Sequence, residues 1–199
     1  KELKLEQDTI VFFTSDNGGI RFSDNFFLNT GPYRGNKGNL YEGGLRVPMI
    51  VRWPGRVPAG KVSSFAWAFQ DVLPTFAEIA GVNNIPRCDG TSVLPTLMGQ
   101  PQKPHPELYW EHHRYSRETA QFLDPVPQQA LRRGQWKAVR PKPGGKVELY
   151  DLDADPGESK DLAASKPELA AELEKAMMAH HVPPRTQKEP PHPWWDARS

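Results

Sequence analysis

The stretch Thr9-Ile10-Val11-Phe12-Phe13-Thr14-Ser15-Asp16-Asn17-Gly18-Gly19 decides the fold. Thr9 to Phe13 places β-branched and aromatic side chains on both faces, the pattern of a strand covered on both sides. The run then stops at a carboxylate, a carboxamide and two glycines. A buried parallel strand that releases hard oxygen donors at its carboxyl end is a common way to build a cation site in an open α/β sheet. The predicted fold class is therefore α/β. The residues alone leave two readings of Asp16-Asn17-Gly18-Gly19. Asn-Gly is the strongest short turn signal, so a plain turn fits. An oxygen-only donor pair at a strand end also fits, and it suits Ca²⁺ or Mg²⁺ rather than zinc.

The next block is Tyr33-Arg34-Gly35-Asn36-Lys37-Gly38-Asn39-Leu40-Tyr41-Glu42-Gly43-Gly44-Leu45-Arg46-Val47-Pro48. Most lysines on glycine-rich loops point into water. Here the flanking glycines let the backbone approach a ligand closely, and a primary ammonium is a compact donor for a tetrahedral oxyanion. Lys37 is thus a candidate catalytic and substrate-binding residue. Glu42 and Arg46, four residues apart, read as an ion pair or as hydrogen bonds that hold the loop's shape. Arg34 reads equally as a second anion contact, a solvated charge or an anchor for the loop.

Working outward, residues 1–8 have the composition of a helix exit, and 31–44 that of an ordered loop. Leu45 to Trp53 predicts a second strand with Pro48 near its start or at an edge. Gln70 to Ala80 has apolar residues at helical spacing, with Pro74 in the first turn and Gly81 as the stop. Residues 83–106 are turn-rich, with a short helical piece at Leu94–Met98. Four short runs follow, at 108–112, 130–132, 136–140 and 147–152, which predict a small antiparallel sheet. Pro167 to His180 predicts one amphipathic helix packed on it. Residues 182–199 form a proline-rich tail whose Trp194-Trp195 pair is expected to dock rather than stay exposed.

Lysine plus arginine, 25, balances aspartate plus glutamate, 24, so nothing points to a nucleic-acid partner. No apolar run is long enough for a membrane span. The single cysteine, Cys88, excludes an internal disulfide framework and a multi-cysteine metal site. The chain opens on Lys1 without an apolar leader, as expected of a fragment, and its natural location is unreadable.

The two glycine-rich blocks together resemble the second half of the sulfatase family, within the alkaline-phosphatase-like superfamily. Ala130-Leu-Arg-Arg133-Gly134-Gln-Trp136-Lys137 and Leu149-Tyr150-Asp151-Leu152 also resemble segments of that family. The resemblance implies that residues 1–82 complete the large α/β domain and 83–104 connect it onward. Residues 105–181 are then the small antiparallel sheet with its helix, followed by the 182–199 tail. It implies that Asp16 and Asn17 are two ligands of a calcium site (magnesium being the alternative), and that Lys37 contacts the sulfate. Tyr109-Trp110-Glu111-His112-His113 resembles a family run leading to the substrate cleft, which makes His112 and His113 candidate substrate-binding residues.

The family's nucleophile, a cysteine or serine converted to formylglycine within Cys/Ser-x-Pro-x-Arg, has no counterpart here. Cys88 is followed by Asp89-Gly90-Thr91 and is not that nucleophile. The formylglycine is expected from an N-terminal part of the same enzyme, and this chain alone is expected to be inactive. The implied substrate is a sulfated small molecule or glycan, and the family suggests a periplasmic or secreted setting. Three other readings stand. One is a phosphonate or phosphate monoester hydrolase of the same superfamily, and another is a non-catalytic relative that binds sulfated glycans. The third is an unrelated α+β module in which Asp-Asn-Gly-Gly is only a turn.

Overall fold

The computed structural model describes residues 2–20, 28–116, 118–119, 121–123 and 126–183. The Trp194-Trp195 pair and most of the proline-rich tail lie outside the described residues.

Strand β1 (Val11–Thr14) pairs antiparallel with β2 (Met49–Arg52), Phe12 opposite Val51. Between them Glu42–Leu45 forms one helical turn, α1, where the sequence reads as loop and then strand. Pro48 falls immediately ahead of β2. Two expectations are corrected here. Residues 2–8 are turns and bends rather than a helix exit. The first strand is neither parallel nor covered on both sides within this chain. Phe12 meets Phe76 edge-to-face at 5.1 Å, whereas Phe13 and Ile50 are 61% and 62% exposed. The apolar pattern that reads as two-sided burial is present, but only one side is covered by these residues.

A tight 3₁₀ turn, Phe69–Asp71, leads into α2 (Val72–Ile79), with Pro74 in its first turn. Gly81 at φ +68° ends it, and the N–H of Val82 reaches back to the carbonyl of Ala77 at 2.8 Å. The turn after Cys88 docks on the start of this helix. The fully buried Asp71 carboxylate accepts the N–H groups of Ala68 and Thr91 at 2.9 and 2.8 Å, and it lies 3.0 Å from Nε2 of His105. A Cβ on Gly90 would fall 1.9 Å from the carbonyl oxygen of Gln70, so only glycine fits there. Cys88 lies in that turn, as expected for a structural residue. The short helix α3 spans Leu94–Leu97.

The predicted small sheet is present as four antiparallel strands in the order β3 (Leu108–His112), β6 (Gln128–Arg133), β7 (Trp136–Arg140), β8 (Glu148–Asp151). A two-stranded hairpin that the sequence did not reveal, β4 (Tyr115–Ser116) with β5 (Gln121–Phe122), branches from β3. Helix α4 (Pro167–His180) matches its predicted span. Leu131, Ala138 and Leu149 face Ala170, Leu173 and Met177 of α4. The alternate residues Ala130, Val139 and Tyr150 face Leu40 and Tyr41, from the glycine-rich loop. Both faces of this antiparallel sheet are therefore dry, one under a helix and the other under the loop that carries Lys37. Burying a Leu or Met side chain fully contributes about 2–3 kcal/mol, so Leu173 and Met177 are the main anchors of α4. No helix among the described residues is long and apolar enough to cross a membrane.

Candidate active site

The strand end and the glycine-rich loop meet through their backbones. The N–H of Gly18 donates to the carbonyl of Gly44 at 2.9 Å, and the N–H of Lys37 donates to the carbonyl of Gly19 at 3.0 Å. At Gly18 and Gly44 a side chain is excluded. A Cβ on Gly18 would lie 2.0 Å from the carbonyl oxygen of Gly43, and one on Gly44 would lie 2.0 Å from that of Asn39. The glycines thus serve close approach of one backbone to another.

Asn36 to Asn39 is a closed turn. The N–H of Asn39 donates to the carbonyl of Asn36 at 2.9 Å, and Oδ1 of Asn39 accepts the N–H of Asn36 at 3.1 Å. Lys37 and Gly38 are its central residues, and the φ of +88° at Gly38 is what the third position of a type II turn demands. Lys37 is exposed at the tip of this turn. On the facing strand end, the hydroxyl of Ser15 donates to the carbonyl of Asn17 at 2.9 Å, Asp16 is exposed and Asn17 half-buried. Two backbone hydrogen bonds therefore bring the turn that carries Lys37 against the strand end that carries Asp16 and Asn17. His112 ends β3 on the small sheet, where it is exposed, and His113 follows it, partly buried.

Two oxygen donors at a strand end match a hard divalent cation in type, but they are fewer than the six to eight that calcium takes. Among the described residues no group of three or more His, Cys, Asp or Glu is placed to hold a metal ion. These residues fit part of a calcium site, not a whole one.

The loop is fastened to the small sheet on both sides of Lys37. Before it, the guanidinium of Arg34 donates to the Tyr150 hydroxyl at 2.6 Å and to the carbonyl of Glu158 at 3.2 Å, and it lies 4.0 Å over the Tyr41 ring. Tyr41 and Tyr150 both donate to Oε2 of Glu148, at 2.7 and 2.5 Å. Burial, reinforced by that shared carboxylate, pushes both phenols well above their usual range. After Lys37, Oε1 of Glu42 lies 2.8 Å from Nζ of Lys137, and so does Oε1 of Glu158. Oε2 of Glu158 accepts the N–H of Glu42 at 2.6 Å. Lys137 and Glu158 are 0% exposed. Burial pushes the Glu158 carboxyl up, with the Lys137 ammonium opposing it. Glu42 also sits 3.9 Å from Arg46, so the expected Glu42–Arg46 pair is the looser of its two contacts. Arg34 proves to be an anchor.

Sequence reading missed Lys137, Glu148 and Glu158 as partners of the loop. One signal was available: Lys137 points a charge into the otherwise apolar Trp136-Lys-Ala-Val139 run.

Residues 35–182 match the family described as N-sulphoglucosamine sulphohydrolase, C-terminal. The chain belongs to the sulfatase family. It is 31% identical over 198 residues to the N-acetylgalactosamine-6-O-sulfatase of Bacteroides thetaiotaomicron, covering 88% of this chain and 37% of that protein. It is also 31% identical over 199 residues to arylsulfatase A of Bos taurus, with coverages of 88% and 38%. Among solved structures, Ps i-CgsB superposes with a TM-score of 0.73 at 29% identity, covering 89% of this sulfatase chain and 37% of that one. The chain thus spans under two-fifths of the length of these relatives, and it matches the family's C-terminal part. The phosphonate monoester hydrolase of Agrobacterium radiobacter shares the fold, with a TM-score of 0.66 at 23% identity.

Proposed function

We propose that this chain is the C-terminal part of an enzyme that hydrolyses a sulfate ester, and that it supplies Lys37 to the sulfate and Asp16 and Asn17 to a calcium ion. The observation that carries the reading is the pairing of Lys37 with Gly19. It brings the turn that carries the exposed Lys37 against the strand end that carries Asp16 and Asn17, next to crossings where Gly18 and Gly44 leave no room for a Cβ.

The Lys37 ammonium holds a sulfate oxygen and balances the charge that builds on it as the S–O bond breaks. Asp16 and Asn17 hold the cation from the strand end. Calcium, when bound, draws negative charge from the sulfate oxygens. The formylglycine nucleophile comes from a part of the enzyme outside this chain. The open apolar face of β1 and β2, with Phe13 and Ile50, supports packing of that part there. The N-acetylgalactosamine-6-O-sulfatase and arylsulfatase A relatives favour a sulfated glycan or small molecule as substrate. His112 and His113 are the candidates to line its cleft.

A phosphonate or phosphate monoester hydrolase is the second reading, favoured by the shared fold of the Agrobacterium enzyme. The test uses the full-length enzyme with calcium, assayed against an aryl sulfate and an aryl phosphonate. Preference for the sulfate supports the proposal, and preference for the phosphonate replaces it. Turnover of neither ester leaves the non-catalytic, glycan-binding alternative. The 199-residue chain alone is expected to turn over neither.

A further inference from the structure

Lys137 has a charge with no route to solvent, and it is held by two carboxylates from different parts of the chain. Arg46, Glu42, Lys137 and Glu158 form a row of alternating sign, two positive and two negative. Arg46 is exposed, but Glu42, Lys137 and Glu158 are buried. Such a buried set is weak as a device for stability, because apolar residues of equal volume stabilise as well or better. Its best-attested use is to fix one arrangement against its neighbours.

What this set fixes is the entry to α1. Glu42 is gripped through its side chain by Lys137 and through its backbone N–H by Glu158. Glu158 does so from φ +52°, a region that a non-glycine residue keeps only where its surroundings demand it. Arg34 is gripped at the other end of the same segment by Tyr150 and the Glu158 carbonyl. Lys37 lies between these two points on a turn containing Gly38, where a Cβ would meet nothing within 4 Å.

We infer that Lys137 is a positioning residue for Lys37: through Glu42, the small sheet sets where the sulfate-holding ammonium stands relative to Asp16 and Asn17. This rests on the proposed role of Lys37. The small sheet then belongs to the catalytic apparatus, although Lys137 itself touches no substrate.

The test is a cycle in the full-length enzyme: Lys37→Ala, Lys137→Met and the double variant, assayed with an aryl sulfate. Lys137→Met alone should lower kcat/KM by about tenfold or more, divided between kcat and KM as the loss in Lys37→Ala is divided. In the Lys37→Ala background the same change should cost less than about threefold. Amide exchange provides a second readout: the Lys37 and Gly43 N–H groups should exchange faster, while those of Leu131 and Val139 stay protected. If Lys137→Met does not fold, Glu42→Gln takes its place, since it leaves the Lys137–Glu158 pair balanced. Equal losses in both backgrounds, or unchanged exchange in the loop, overturn the inference while the role of Lys37 stands. If Lys37→Ala itself costs nothing, the reading of Lys37 fails, and the inference with it.

Discussion

The backbone N–H of Lys37 donates to the carbonyl of Gly19 at 3.0 Å, so the candidate sulfate-binding residue is fastened by its main chain and not by its side chain. Its ammonium is left free to serve a ligand. The turn around it can then be tested separately from the charge it carries.

Lys37→Ala in the full-length enzyme should remove a charge-assisted contact to an anion and leave the fold alone. The expected loss is about 2–4 kcal/mol of transition-state stabilisation, roughly 30- to 1000-fold in kcat/KM. Lys37→Arg should recover only part, because a planar fork replaces a point charge poorly. The melting temperature should stay within about a degree of the parent, since an exposed side chain packs against little. Near-normal kinetics, or an unfolded protein, would sink the assignment.

Two glycines in the same loop should respond differently. At Gly44 a Cβ would meet the Asn39 carbonyl oxygen at 2.0 Å, so Gly44→Ala must push backbone apart at a cost of about 3 kcal/mol. At Gly38 the space is open and only the left-handed conformation resists, so Gly38→Ala should cost about 1–2 kcal/mol. Urea melts of the two variants would measure the difference. Equal losses would mean that close approach is not what selects glycine at position 44.

Calcium should bind this chain weakly, because Asp16 and Asn17 provide too few oxygen ligands. In the full-length enzyme, Asp16→Ala should abolish both calcium binding, read by calorimetry, and activity. Sub-micromolar calcium affinity in the 199-residue chain, lost in Asp16→Ala, would reveal a complete site within it.

The last prediction concerns acid stability. Burial pushes Glu107 up, but hydrogen bonds from His180 and Arg133 outweigh it and hold the carboxyl below the usual carboxylate range. A carboxyl depressed in the folded state stabilises fully above its unfolded pKa. That contribution fades as pH falls through the lower folded value. Glu107→Gln should cost about 1 kcal/mol at pH 7 and flatten the loss of stability on acidification below the usual carboxylate range. Parallel acid limbs for parent and variant in urea melts would refute this.

Much of the fold was legible because local patterns survive packing. Helix α4 and the four main strands lie where periodicity places them, since the alternation at Ala130-Leu131 and Ala138-Val139 directly encodes two buried faces. The two glycine-rich blocks were joined in the sequence by their resemblance to the sulfatase family, and the close backbone contact of Gly18 with Gly44 is what the fold adds. Two misreadings have a physical cause. β1 carries the apolar pattern of a covered strand, yet Phe13 and Ile50 have no cover within this chain. Helix α1 was hidden because Glu42-Gly-Gly-Leu45 has poor intrinsic helix propensity, so its helical turn depends on the distant Glu158. Lys137, Glu148 and Glu158 went unread as loop partners because sequence separation conceals such contacts.

Glu158 lies 116 residues beyond Glu42, which sets an order of events during synthesis. The ribosome releases the Lys37 turn long before the residue that locks it. A nascent chain can therefore hold every glycine of the loop, and Lys37, before the contacts from Glu158 to Glu42 and Arg34 can form. A premature stop between Arg46 and Glu158 leaves a product that contains all the motif residues around Lys37 and lacks the contacts of Glu158 with Glu42 and Arg34.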